Sequence, residues 1–189
     1  MNGYVTRFFE IYKEWPVVAT LAMKLIYKLP LTSIEEQNLK ELALATGLNM
    51  KDVKNELVNL AADPSERIKD YKELLEKYYK EALELFNSSN TRQAGERIWA
   101  SVLLLIKLYA SLKRIFIAYW NRGKIDNFIA NNMEPKYKKF FRELVDKAQI
   151  LHEHFYEGYL NEELFKERWN EVVELFEKTR RMIYEEFQL

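Results

Sequence analysis

No cysteine occurs in this chain. That single absence removes disulfides, thiolate metal sites and a cysteine nucleophile. Glycine (5) and proline (4) are scarce among 189 residues, as in chains of long helices joined by few loops. Neither sign of charge is in surplus. With 29 basic against 29 acidic residues, the cationic surface that phosphate neutralisation requires is missing, so general attraction to nucleic acid or an anionic membrane is not expected. Long apolar runs are also missing. Residues 17–29 are too short to cross a bilayer, and residues 98–120, which are long enough, carry Lys107, Lys113 and Arg114. Neither stretch reads as a secretory leader, so a cytoplasmic location is expected. No glycine-rich phosphate loop and no local Ser/His/Asp motif is present, and no cofactor is expected.

What is present is apolar and helical. Hydrophobic residues make up 48% of the chain and aromatics 14%, enough for a sizeable core. Capping signals divide the sequence. Thr32 with Glu35 forms a capping box, in which each side chain serves the other residue's backbone N–H. Asp63-Pro64-Ser65-Glu66 places Asp at an N-cap and Pro at the first helical position. Asn90 with Gln93 starts another helix and Asn161 another, while Gly123 and Gly158 are placed to end helices. The expected helices run over 3–14, 17–28, 33–46, 50–61, 65–87, 91–121, 135–157 and 161–187. No strand-like alternation competes. In 65–87 the residues Ile68, Tyr71, Leu75, Tyr78, Tyr79, Ala82 and Phe86 share a face, and in 161–187 Phe165, Trp169, Val172, Phe176 and Ile183 do. The helix from 91 is apolar nearly all round and is expected at the centre. The fold class is therefore all-α. A boundary near residue 63 separates an N-terminal helical extension (1–62) from four long helices (63–189), enough for an up-and-down four-helix bundle.

Four features invite a functional reading. The two histidines, His152 and His154, stand beside Glu153 and Glu157. On an ideal helix they lie about 200° apart, so one helix cannot present both to one ion, and no metal site is expected. His152 shares the stripe of Leu144, Leu151 and Phe155, which predicts a structural, core-facing His152 and an outward His154. A partner for its ring is expected from Glu96 or a tyrosine hydroxyl. Residues 39–57 have helix-turn-helix spacing at Ala43, Gly47 and Val53, but the second helix mixes Lys51 and Lys54 with Asp52 and Glu56, unlike a groove-reading helix. Residues 136–142 (KYKKFFR) form a basic, aromatic cluster whose Lys136, Lys138, Lys139 and Arg142 are candidate nucleic-acid contacts, although a solvated face is the simpler reading. Finally, Ile150 stands on the otherwise polar back of its helix, which with the high aromatic content points to surplus apolar surface and a homodimer.

The segments Asp-Pro-Ser-Glu-Arg at 63–67, Gln-Ala-x-Glu-x-x-Trp-Ala at 93–100 with Lys107 following, and Leu-His-x-x-Phe-Tyr-Glu at 151–157 together resemble the archaeal PaREP-type proteins, helical paralogues of unassigned activity. The resemblance covers most of 39–160 and marks Gln93, Glu96, Trp99, Lys107, His152, Phe155, Tyr156 and Glu157 as a family-type cluster. These proteins in turn resemble HEPN-type domains, helical bundles that dimerise, which implies an HEPN-like bundle here. Some HEPN proteins cut RNA with an Arg followed a few residues later by His. The eligible positions upstream of the histidines hold Val145, Asp146, Lys147, Ala148 and Gln149. None is Arg, and Lys147 lacks the forked guanidinium that clamps phosphate. The expectation is a non-catalytic, self-associating interaction module with no catalytic residues. The alternatives are an RNA-directed nuclease or toxin–antitoxin component with a degenerate site, and a DNA-binding regulator working through 39–57.

Overall fold

A computed structural model describes residues 11–115 and 121–189, and these are all-helical. Helix α1 spans Pro16–Ile26, α2 Ser33–Thr46, α3 Met50–Val58, α4 Ile68–Asn87, α5 Thr91–Leu112, α6 Arg122–Asn132, α7 Pro135–Glu157 and α8 Glu162–Phe187. A 3-10 turn at Pro64–Arg67 precedes α4. Most of the expected first helix, and the end of the one expected to reach 121, lie outside the described residues.

The capping chemistry explains most boundaries. Thr32 and Glu35 close both hydrogen bonds of the capping box that starts α2. Asp63 accepts from the backbone N–H of Ser65, but it opens the 3-10 turn rather than α4 itself. Asn161 caps α8 through Leu164 N–H, and α7 ends on Gly158 in the left-handed region at φ 66°. Two expectations need correcting. Helix α5 stops at Leu112 instead of running on towards 121, because Arg114 takes a left-handed φ of 55° and Ile115 N–H turns back to the Ala110 carbonyl. A non-glycine residue in that conformation leaves no signal in the sequence. Gly123 does not end a helix. It lies in the first turn of α6, which Asn121 caps and which Ile125, Phe128 and Ile129 bury at helical spacing.

Helix α5 is the centre of the molecule. Every residue from Ala94 to Ser111 except Arg97 is buried. Helices α4 and α7 pack most extensively against it, and α8 packs against both α7 and α5. Gly95 permits the close crossing of α5 and α7: a Cβ at that position would lie 2.3 Å from the Leu151 carbonyl oxygen. Aromatic contacts fill the layers, with Tyr109 edge-on to Tyr137 at 5.4 Å and Phe86 stacked on Trp169 at 4.6 Å. No helix among the described residues is long and apolar enough to cross a membrane.

The α2–α3 hairpin packs on α4 and α5. Gly47, at φ 66°, makes the turn, and a Cβ there would come within 2.8 Å of the Glu96 carbonyl oxygen. The expectation of an inward Val53 on the second helix matches its burial, and Asp52 and Leu57 are buried with it.

Candidate functional site

Helix α5 and the end of α7 carry the family-type cluster, and the structure shows where its members point. Trp99 donates its indole N–H to the Ala45 carbonyl at 3.2 Å. Tyr156 donates its hydroxyl to the Leu44 carbonyl at 3.0 Å. Arg97, two residues before Trp99, donates to the Gly47 carbonyl at 2.7 Å. Three side chains thus satisfy carbonyls at the C-terminal end of α2, where the helix has no internal donors left. Lys107 reaches the same hairpin two turns further along α5, donating to the Glu56 carboxylate at 2.6 Å. Glu96 is 7% exposed beneath the Gly47 turn. Burial holds its carboxyl above the ordinary range, with Arg97 opposing. Gln93 and Phe155 are half-buried and Glu157 is exposed, so these three do not join the seat. The Phe155 and Tyr156 carbonyls accept from Arg92 instead, which closes the end of α7.

The two histidines reverse the expected order. His154 is the buried one, 3% exposed. Its Nδ1 accepts from Leu160 N–H at 3.0 Å, which leaves Nε2 to carry the proton towards Thr91 Oγ1 at 3.4 Å. His152 is half-buried, stacked on Trp99 at 5.1 Å with Tyr156 edge-on to it. Its Nδ1 has no protein partner, so neither Glu96 nor a tyrosine supplies one. Burial pulls the His152 pKa down to about 4, and the ring is neutral at pH 7. The angular argument fails because α7 is packed on two sides at its end. Helix α5 covers the His152 side, while Gly158 returns the chain so that Leu160 and Phe165 cover His154. Ile150 is also half-buried, with its carbonyl accepting from Tyr159, and does not form an exposed apolar face.

No group of three or more His, Asp or Glu side chains placed to hold a metal ion occurs among the described residues. Lys147, at HEPN-like spacing, pairs with Glu171 on α8 at 2.9 Å. In the basic cluster, Lys136 pairs with Glu186 and Lys138 donates to the Ala130 carbonyl, leaving Lys139 and Arg142 exposed.

Two polar networks escaped the sequence reading, and both lie under α3. Asp52 accepts from Lys77 at 2.8 Å, Tyr78 at 2.9 Å and Asn49 at 3.0 Å. Burial opposes its ionisation, but those hydrogen bonds outweigh it and its pKa is lowered. The second network is Glu56, Lys107, Arg67 and Tyr71. Lys107 is 4% exposed, and Arg67 approaches Glu56 at 3.7 Å while lying over the Tyr71 ring at 4.5 Å. Burial alone would raise the Glu56 pKa, yet the charges of Lys107 and Arg67 lower it, so Glu56 is the anion between two cations. Burial pulls Lys107 below an ordinary lysine, with Glu56 opposing. A signal did exist. A lysine within an otherwise apolar, central helix demands a buried counter-ion, although nothing local pointed to Glu56. Between α3 and α4 a polar cleft of about 360 Å³ opens above this network. Lysine and arginine already hold the Glu56 carboxylate, so it is not a free general base.

A model of the archaeal PaREP1/PaREP8 family matches residues 70–176. No curated protein and no solved structure matches. The match includes the residues of α5 and α7 that seat the hairpin, and leaves the hairpin itself outside. It spans more than half of the sequence, and the chain belongs to the archaeal PaREP1/PaREP8 family.

Proposed function

We propose that this protein is a non-catalytic interaction module: an HEPN-like up-and-down four-helix bundle over 63–189, with a helical extension over 1–62, that self-associates in the cytoplasm. The supporting observation is where the family-type polar residues are used. Trp99, Tyr156 and Lys107 bond the α2–α3 hairpin instead of lining an open catalytic pocket. The remaining imidazoles are a neutral His152 against Trp99 and a His154 engaged at both nitrogens.

The occupant of the free surface is a second copy of the chain. The four most exposed large hydrophobic side chains among the described residues are Ile34 (74%), Tyr27 (70%), Val17 (53%) and Tyr12 (52%), and all lie in the extension. A chain with no net charge has no long-range self-repulsion to oppose such an association. Multi-angle light scattering at about 100 μM should report a dimer, and Tyr27→Glu with Ile34→Glu should shift it to monomer with unchanged helicity. A monomeric wild type refutes the reading. So does RNA cleavage that is lost in His152→Ala or His154→Ala while the fold is retained.

A further inference from the structure

We propose that the outward face of α3 reads duplex DNA in the major groove. Residues 39–57 have helix-turn-helix spacing, but along the sequence the charges of the second helix cancel. The structure separates those charges. At 100° per residue the exposed residues Lys51, Lys54, Asn55, Val58 and Asn59 fall within an arc of about 140°. Asp52 and Glu56 lie outside that arc, turned under the helix, where Lys77 holds Asp52 at 2.8 Å and Lys107 holds Glu56 at 2.6 Å. The outward face therefore carries two cations, two amides and one apolar side chain, and no carboxylate. Neither Lys51 nor Lys54 forms an ion pair with a described residue, and the Asn55 side chain makes no hydrogen bond to one.

The backbone around this face is built for groove entry. Gly47, at φ 66°, opens a three-residue turn between α2 and α3, Asn49 caps α3, and Leu48 and Val53, each 4% exposed, anchor the hairpin beneath it. Nine residues make α3 about 13 Å long, and the major groove is about 12 Å wide. Asn55 offers an amide donor beside an acceptor, the complement of the adenine edge. Val58, 39% exposed and one turn further on, suits a thymine methyl, and Lys51 and Lys54 suit phosphates or guanine. The exposed carboxylates of Asp70 and Glu73 stand across the α3–α4 cleft that Asn55 and Asn59 line. They repel phosphate on that flank and direct the duplex to the Lys51–Lys54 side. A-form RNA is excluded as the occupant, because its major groove is too narrow to admit side chains. A chain with no net charge has little non-specific attraction to add, so the affinity has to come from this face.

The test is selection by the full chain from a pool of duplexes of randomised sequence, followed by fluorescence anisotropy on the selected duplex. The probes are that duplex, a scrambled duplex of the same composition, one of its single strands and an RNA duplex of the same sequence. The selected duplex should bind most tightly. Asn55→Ala should weaken it at least about fivefold and leave the scrambled duplex nearly unchanged. Lys51→Gln with Lys54→Gln should weaken both duplexes and reduce the salt slope by about 2. Asp70→Asn with Glu73→Gln should strengthen both. All of these positions are exposed, and the variants should keep the wild-type circular dichroism spectrum. The inference fails if no sequence is enriched, if the single strand or the RNA binds more tightly than the selected duplex, if Asn55→Ala and the double lysine variant bind like wild type, or if removing the two carboxylates weakens binding. It goes beyond self-association and does not depend on it: a monomer that reads a duplex through α3 still bears it out.

Discussion

Lys107 on the central helix donates a 2.6 Å hydrogen bond to Glu56 on α3, fifty-one residues earlier in the chain. The lysine is 4% exposed, and Arg67 is a second cation beside the same carboxylate. Removing one partner from a buried ion pair leaves an uncompensated charge, whereas removing both in favour of apolar groups is close to neutral. Glu56→Ala should therefore cost about 3–5 kcal/mol in urea unfolding. Glu56→Leu combined with Lys107→Met should recover most of that loss. Additive effects of Glu56→Leu and Lys107→Met would show that the pair is not coupled.

Glycine substitutions separate contact from propensity. At Gly95 a new Cβ meets the Leu151 carbonyl oxygen at 2.3 Å, and neither backbone can yield without moving a helix. Gly95→Ala should cost about 1–3 kcal/mol or more by overpacking. At Gly123, in the first turn of α6, the nearest atom to a new Cβ is Asn121 Oδ1 at 3.7 Å. Gly123→Ala should stabilise by about 0.5–1 kcal/mol, since alanine gives up less conformational freedom than glycine. Thermal melts of the two variants should move in opposite directions. A shared direction would refute the crossing geometry.

His152 makes stability depend on pH between neutral and mildly acidic conditions. Its folded pKa of about 4 lies below the ordinary histidine value of 6.5, so the unfolded chain takes the proton first as pH falls. The contribution is fully present above pH 6.5 and is lost progressively down to pH 4. By pH 5 the loss is about 2 kcal/mol, an upper figure because the ring is partly exposed. His154 is also depressed, by burial first and the Arg92 charge second, and acts in the same direction. The comparison that isolates His152 is wild type against His152→Gln, in denaturant melts at pH 7 and pH 5. The variant should lose distinctly less stability on acidification, and equal losses would refute the assignment.

Helical phase and its limits are clearest at the end of α7. About three consecutive turns place Phe141, Leu144, Val145, Ala148 and Leu151 on one buried face, as their spacing requires. The same arithmetic misplaces the two histidines, because it assumes that a helix has one covered side. At its end α7 is covered twice, by α5 and by the returning chain at Leu160 and Phe165.

By itself the sequence determined what depends on neighbours along the chain. The capping box at Thr32 and Glu35, the left-handed stop at Gly158 and the Asn161 cap involve atoms within a few residues of each other, so residue type and spacing suffice. The central place of α5 was legible as well, since a helix apolar on every side has to be surrounded. Tertiary structure alone decided which carboxylate answers Lys107, which carbonyls Trp99 and Tyr156 bond, and that Glu56 and Arg67 share the wall of a cleft. Those pairings join groups that lie far apart in the chain. Each exists because desolvation penalises a lone charge or an unpaired carbonyl, and the penalty acts only once packing has brought the helices together.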